Sequence, residues 1–386
     1  MNKAKFAGTG LAAAEQIYKE RSLRARELSK EGKKVMGYFC AYPPLEMLTA
    51  VDVVPYRIMG NPRMAPVRVE AYLESITCSF VRSCFELALN NDYDFLDGFI
   101  ACHACDNLIK VYNVWRHNFK PPFSYFVNVP NTTSPASLKF FRAELSMFQR
   151  RLESFTGRQI SEQQLIAAIK LHNENRSLMR EVYALRKPDP PLISSVEMNK
   201  ILVASQSIPV EESNQLLHKV IRDIKARTES PTRKTIRLMI VGPEIDDSPL
   251  FELIEDTGAS VVVDDTCIGT KVYWRDVEMK GDPLNNLAER YLNKVKCPRT
   301  VRQSTQNSAE DLDARFGHIL DLAREFNVNG VILYILRYCD NFGYDVPELK
   351  SYLEKAGLPV FHIEDDYLVN SARLKTRVEA FIEMIS

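Results

Sequence analysis

Two strand-like apolar runs in separate halves of the chain end in the same dipeptide. Asp97-Gly98-Phe99-Ile100-Ala101 runs into Cys102-His103-Ala104-Cys105-Asp106, and Gly330 to Leu336 runs into Arg337-Tyr338-Cys339-Asp340. Read as buried strands each followed by a helix, they put a thiol at the carboxyl edge of a parallel sheet, where open α/β folds bind ligands. Two such edges facing each other would present thiolates to one soft metal centre.

The spacing around Cys105 admits several chemistries. Cys102-His103-Ala104-Cys105 is formally a CxxC after a strand and before a helix, the setting of a thioredoxin-like redox pair, but the rest of that fold is not visible. A local zinc site would need a second close pair, and the chain has no other CxxC or HxxxH. One functional thiolate beside one buried cysteine is the bland alternative. Cys78 and Cys84 fall in a segment, Glu70 to Asn90, with helical spacing of apolar residues. Cys84 lies on the apolar face, as a core cysteine would, and Cys78 lies off it near the middle of the pattern. An iron–sulfur cluster held from distant segments needs only thiolates that converge in space, and Cys78, Cys105 and Cys339 are the candidates.

Composition bounds the setting of this chemistry. The 386 residues predict two domains, and fifty basic against fifty acidic side chains predict neither a nucleic-acid nor a membrane-surface footprint. No apolar run reaches the roughly 18 residues of a membrane span, and the first residues lack the apolar core of a secretory signal. The expected compartment is the cytoplasm, where eight cysteines are better read as metal ligands or core residues than as disulfides.

The elements that must position these residues follow a repeated order. A polar amphipathic helix over 11–31 precedes a strand at Lys34–Phe39, a Cys40-Ala41-Tyr42-Pro43-Pro44 loop, a helix at Leu45–Val51 and a strand at Val53–Arg57. Thr235–Val241, the loop Gly242–Ser248, a helix stopped by Gly258 and the strand Ala259–Val263 repeat the arrangement. Between the halves, Ser161-Glu162-Gln163-Gln164 reads as a capping box opening a helix, and Glu212–Lys225 as another; His172 and His218 read as surface or boundary residues. The expected fold is α/β: two flavodoxin-like or Rossmann-like parallel-sheet domains related by duplication, with an added helical layer. The expected divisions are an N-terminal helix (1–32), a first α/β domain (33–150), a helical segment and linker (151–234) and a second α/β domain (235–386).

Five motifs then occur in a familiar order: Tyr38-Phe39-Cys40-Ala41-Tyr42-Pro43-Pro44-Leu45-Glu46, Cys78-Ser79-Phe80-Val81-Arg82, His103-Ala104-Cys105-Asp106-Asn107, Asp264-Asp265-Thr266-Cys267-Ile268-Gly269 and Tyr338-Cys339-Asp340. In this the chain resembles the 2-hydroxyacyl-CoA dehydratase component D superfamily over nearly its whole length. That superfamily includes the dehydratase subunits, ATP-dependent benzoyl-CoA reductase subunits and double-cubane cluster proteins. Its length and the Tyr338–Tyr344 context are most similar to the C subunits of the ATP-dependent, class I benzoyl-CoA reductases.

The resemblance implies a 4Fe-4S cluster in a cleft between two α/β domains, held by Cys78, Cys105 and Cys339, with Cys40 and Cys267 as cluster environment. Cys84, Cys102 and Cys297 fall outside the pattern. It implies an oxidoreductase subunit that reduces the ring of benzoyl-CoA to a cyclohexadiene-carbonyl-CoA. The alternatives within the family are a 2-hydroxyacyl-CoA dehydratase, a lyase, and a double-cubane cluster reductase. Implied partners are a homologous larger substrate-reducing subunit, ATP-hydrolysing iron–sulfur activator subunits and ferredoxin as upstream donor, with an aryl- or acyl-CoA as substrate. ATP and Mg belong on the partner only, in keeping with the lack of a GxxxxGK[ST] loop here. Glu46 and His103 are the candidate catalytic groups, His103 as a proton donor, and Asp106 and Asp340 are expected to cap the helices that follow their cysteines.

Overall fold

The computed structural model describes residues 9–231, 236–302, 307–367 and 371–386. Thr235, the expected start of the second half's first strand, and part of the expected linker lie outside the described residues.

Eight strands form two four-stranded sheets, parallel throughout. The first contains β1 (Val35–Tyr38), β2 (Val54–Arg57), β3 (Gly98–Cys102) and β4 (Phe123–Val127) in the order β2-β1-β3-β4. The second contains β5 (Ile236–Val241), β6 (Ala259–Asp265), β7 (Gly330–Leu336) and β8 (Val360–Asp365) in the order β6-β5-β7-β8. Each sheet therefore places its strands in the same sequence, second, first, third, fourth. Strand order reverses between the first and third strands of each sheet, so the loops leaving β1, β3, β5 and β7 surround the two switch points at which such sheets bind ligands.

Every residue of β7 is buried, as expected for a parallel strand covered on both faces. Its alternate residues serve two cores. Ile332, Tyr334 and Leu336 join a core shared with Met36, Phe99 and Ile100 of the first sheet, so the two lobes pack through one continuous apolar interior. Val331, Leu333 and Ile335 face a second core with Val182, Tyr183 and Ile201 of the helical layer.

That layer consists of helices Glu162–Ala184, Ser195–Ser205 and Val210–Lys225. The Ser161/Gln164 capping box opens the first of them with both reciprocal bonds in place. The N-terminal segment is two helices, Gly10–Lys19 and Leu23–Lys30, and not one. The first lies on helices Ser195–Ser205 and Val210–Lys225 and the second against β1, and these two surfaces require a turn between them. At Gly10 a Cβ would stand 2.3 Å from the Val220 backbone nitrogen, so this crossing depends on glycine. His172, expected at the surface or a boundary, is buried, with its Nε2 2.9 Å from Thr49 Oγ1, whereas His218 is exposed.

Candidate functional site

Cys105 and Cys339 stand three residues beyond the last residue of β3 and of β7, respectively, and each is the N-cap of the next helix, Asp106–Phe119 or Asp340–Lys355. Cys78 is also an N-cap, of helix Ser79–Leu89. This corrects the expected Glu70–Asn90 helix. The chain makes a 3₁₀ turn at Arg68–Ala71 and reopens as a helix only after Cys78, leaving Ile76 exposed instead of on a buried face. Asp106 and Asp340 are likewise first-turn residues and not caps. There their carboxylates complement the positive end of the helix dipole.

Three helices from both lobes thus direct their N-termini at one region. The first-turn N–H groups of Phe80 and Val81 favour the Cys78 thiolate, those of Asn107 and Leu108 the Cys105 thiolate, and that of Phe342 the Cys339 thiolate, short of a full capping hydrogen bond. Burial acts more strongly and pushes all three thiols up. Charge on Cys78 raises Cys105, and charge on Cys78 and Cys105 raises Cys339, so the three thiols lie within electrostatic reach of one another.

Side-chain amides connect the three turns. Asn107 Nδ2 donates to the Tyr338 carbonyl at 3.0 Å, and its Oδ1 accepts from the Cys78 N–H at 3.2 Å. Asn341 Nδ2 donates to the Ala104 carbonyl at 2.5 Å. Tyr367, just after β8, adds a bond from its N–H to Ser79 Oγ at 3.0 Å.

Among the described residues no three His, Cys, Asp or Glu side chains stand close enough together to hold a single metal ion. A tetrahedral zinc ion, with sulfur about 2.3 Å away, therefore does not fit the three thiols. A polynuclear cluster spreads its thiolate positions over several irons and suits soft donors set further apart around a shared space.

Cys40, in the loop after β1, has a left-handed backbone (φ 69°). Arg57, at the end of β2, donates to the Cys40 carbonyl at 3.2 Å and the Cys267 carbonyl at 3.0 Å, and pairs with Glu244 from the β5 loop. One guanidinium thereby ties loops of both sheets. Burial pushes the Cys40 thiol up to about 12, with Cys297 adding to the shift, and pushes Cys267 up with Cys40 adding. Cys297, which the motifs left out, is thus within electrostatic reach of Cys40 and Cys267, and of Cys339 as well. Cys84 and Cys102 are fully buried core residues, as expected.

The two candidate acid–base groups differ sharply. Glu46 is completely buried and accepts from Arg176 and, at 2.8 Å, from the Tyr291 hydroxyl. Burial raises its pKa, but Arg176 and His172 outweigh burial and hold it down to about 2. It is an ionised structural anchor in this arrangement. Its neighbours His172, Arg176, Arg290 and Tyr291, with Cys40, line a cavity of about 50 Å³. His103 is half-buried in the turn between β3 and Cys105, its ring against Phe126, and burial followed by Arg299 lowers its pKa. Around the three thiols, Ile76, Tyr338 and Tyr344 are exposed apolar side chains.

Two parallel α/β lobes, each with a cysteine capping the helix that follows its third strand and with Cys78 capping a third helix, define a two-lobed protein with soft donors at its sheet edges. A family model described as 2-hydroxyglutaryl-CoA dehydratase, D-component, matches residues 40–385, and the chain belongs to that family. The C subunit of benzoyl-CoA reductase from Thauera aromatica is 28% identical over 373 residues, covering 95% of this chain and 94% of the relative. The (R)-phenyllactyl-CoA dehydratase beta subunit of Clostridium sporogenes is 25% identical, covering 93% and 94%. The (R)-2-hydroxyglutaryl-CoA dehydratase of Acidaminococcus fermentans is similar through both its beta and its alpha subunits, each 23% identical. The beta match takes in 92% of this chain and 93% of the relative, and the alpha match 74% and 60%. These relatives are subunits of multi-subunit enzymes, one a reductase and the others dehydratases. No helix among the described residues is long and apolar enough to cross a membrane.

Proposed function

We propose that the chain is the substrate-reducing iron–sulfur subunit of an ATP-dependent benzoyl-CoA reductase. The observation that carries this reading is the meeting of Cys78, Cys105 and Cys339 at three helix N-termini from both lobes. A 4Fe-4S cluster held by these thiolates would supply single electrons at low potential. Two electrons and two protons enter the aromatic ring to give a cyclohexadiene-carbonyl-CoA. The chain's own groups bind the cluster through thiolates, shield it by burial, and aim first-turn N–H groups at sulfur, which tunes the potential. His103 is the proposed proton donor, and Cys40 and Cys267 the cluster's surroundings. The proposed arrangement gives Glu46 no proton to deliver. A homologous larger subunit would cover the exposed Ile76, Tyr338 and Tyr344, in keeping with similarity to an alpha as well as a beta subunit. ATP-hydrolysing activator subunits, fed by ferredoxin, would supply the electrons.

The reductase reading is favoured by the 28% identity to the benzoyl-CoA reductase relative, against 23–25% to the dehydratase subunits. Anaerobic iron and sulfide analysis with electron paramagnetic resonance tests the cluster, and an iron-free chain purified without oxygen would sink it. With partner subunits and ATP, benzoyl-CoA should retain the electrons in its product. Catalytic electrons with a 2-hydroxyacyl-CoA would instead establish a dehydratase.

A further inference from the structure

The tripeptide Cys-Asp-Asn occurs at Cys105-Asp106-Asn107 and again at Cys339-Asp340-Asn341. In the fold the two copies are reciprocal. Asn107 donates to the carbonyl preceding Cys339, and Asn341 donates to the carbonyl preceding Cys105, at 3.0 and 2.5 Å. Each amide begins in the first turn of its own helix and crosses to the opposite lobe, although an asparagine so near a helix start could bond locally instead. Asn107 does more than its counterpart, because its Oδ1 also takes the Cys78 N–H at 3.2 Å.

Only a side chain with both a donor and an acceptor can do this, and an aspartate of the same shape has no donor when ionised. Tyr338, whose carbonyl Asn107 holds, adopts a left-handed backbone at φ 65°. A bulky aromatic residue rarely occupies that region and stays there only when its surroundings dictate it.

We propose that Asn107 and Asn341 form a two-way clamp that sets the separation of Cys78, Cys105 and Cys339, and are positioning residues for the iron–sulfur group these thiolates hold. The inference rests on the cluster reading of the site. The clamp fixes the backbone on both sides of the gap, so the three sulfurs are presented at one spacing before metal arrives. Loss of one donor frees one turn, and loss of either leaves the other turn misplaced.

The test uses the full chain, purified anaerobically, with Asn107→Asp and Asn341→Asp. Iron and sulfide content, the rate of iron loss to a chelator, the paramagnetic spectrum and the midpoint potential are measured beside thermal unfolding of the iron-free forms. Outer-shell partners commonly account for about tenfold or more in metal affinity. Both variants should lose iron about tenfold faster than the parent, with an altered spectrum and potential and nearly unchanged unfolding. The double variant should be little worse than either single one, since the clamp acts as a unit. Asn341→Gln, which restores a donor, should recover part of the retention. If Asn107→Asp fails to fold, Asn341→Asp carries the test, because Asn341 is half-buried and supplies one of these bonds.

Parental iron retention and spectra in both variants would overturn the clamp while leaving the cluster reading intact. Iron loss that merely tracks a lowered melting temperature would also overturn it. A parent protein without iron would overturn the cluster reading and the clamp with it.

Discussion

Arg57 and Glu244 meet as a buried two-pronged ion pair between the lobes, Nε to Oε1 at 2.8 Å and Nη2 to Oε2 at 2.9 Å. Burial opposes the Arg57 charge, but Glu244 outweighs it and holds the guanidinium firmly protonated. The pair joins the end of β2 to the loop after β5, and its remaining donors hold Cys40 and Cys267. Glu244→Gln leaves the arginine charge buried without its partner. The expected cost is about 3–5 kcal/mol in urea unfolding, and Arg57→Met with Glu244→Leu should recover much of it. Equal stabilities of Glu244→Gln and the parent would show that the charge had found another partner.

The cysteines divide into two classes by what they should cost. Cys105→Ala and Cys339→Ala are expected to abolish cluster-derived visible absorbance while leaving a folded chain. Cys84→Ala and Cys102→Ala should keep the iron and lower stability by roughly 1–2 kcal/mol through lost packing. Full iron content in Cys105→Ala would remove it from the ligand set.

Acid should weaken the helical layer in two stages. His172 is held down to about 4 by burial against an ordinary 6.5, and Glu46 down to about 2 against 4.5, through Arg176 and His172 acting against burial. Both folded-state values are depressed, so both contributions are present at neutral pH and are lost as pH falls. The His172 share goes between 6.5 and about 4, and the Glu46 share between 4.5 and about 2. The stability difference between the parent and Glu46→Gln, on the order of 3 kcal/mol at pH 7, should shrink below pH 4.5. A difference independent of pH from 7 to 3 would contradict the ion pair.

Gly10→Ala should loosen the N-terminal helix, since its new methyl would meet the Val220 backbone at 2.3 Å. A loss of about 1–3 kcal/mol is expected, with faster amide exchange across Gly10–Lys19. Parental exchange rates there would show that the helix pair can part without cost.

Much of the architecture was legible because it is written locally. Runs such as Gly330–Leu336 have strand length and apolar content, Ser161 and Gln164 are a capping box in sequence as in space, and Gly258 at φ 104° ends a helix turn as expected. The strands before Cys105 and Cys339 put those residues at sheet edges for the same reason. Cys78 was less legible. The helical spacing across Glu70–Asn90 resembles one continuous face, but packing of the second lobe through Tyr367 onto Ser79 and of Asn107 onto the Cys78 N–H accompanies a later helix start.

By itself the sequence determined two parallel α/β halves with a thiol after the third strand of each, because strand and helix periodicities depend on near neighbours. Tertiary structure decided the rest. It brought Cys297 within electrostatic reach of Cys40 and Cys267, committed Glu46 to Arg176 and Tyr291, and crossed the two Cys-Asp-Asn turns so that Asn107 and Asn341 each hold the backbone just past the other's strand. The bonds of Glu46, Asn107 and Asn341 join residues more than a hundred positions apart, and no local pattern encodes which distant carbonyl or carboxylate a buried polar group will meet.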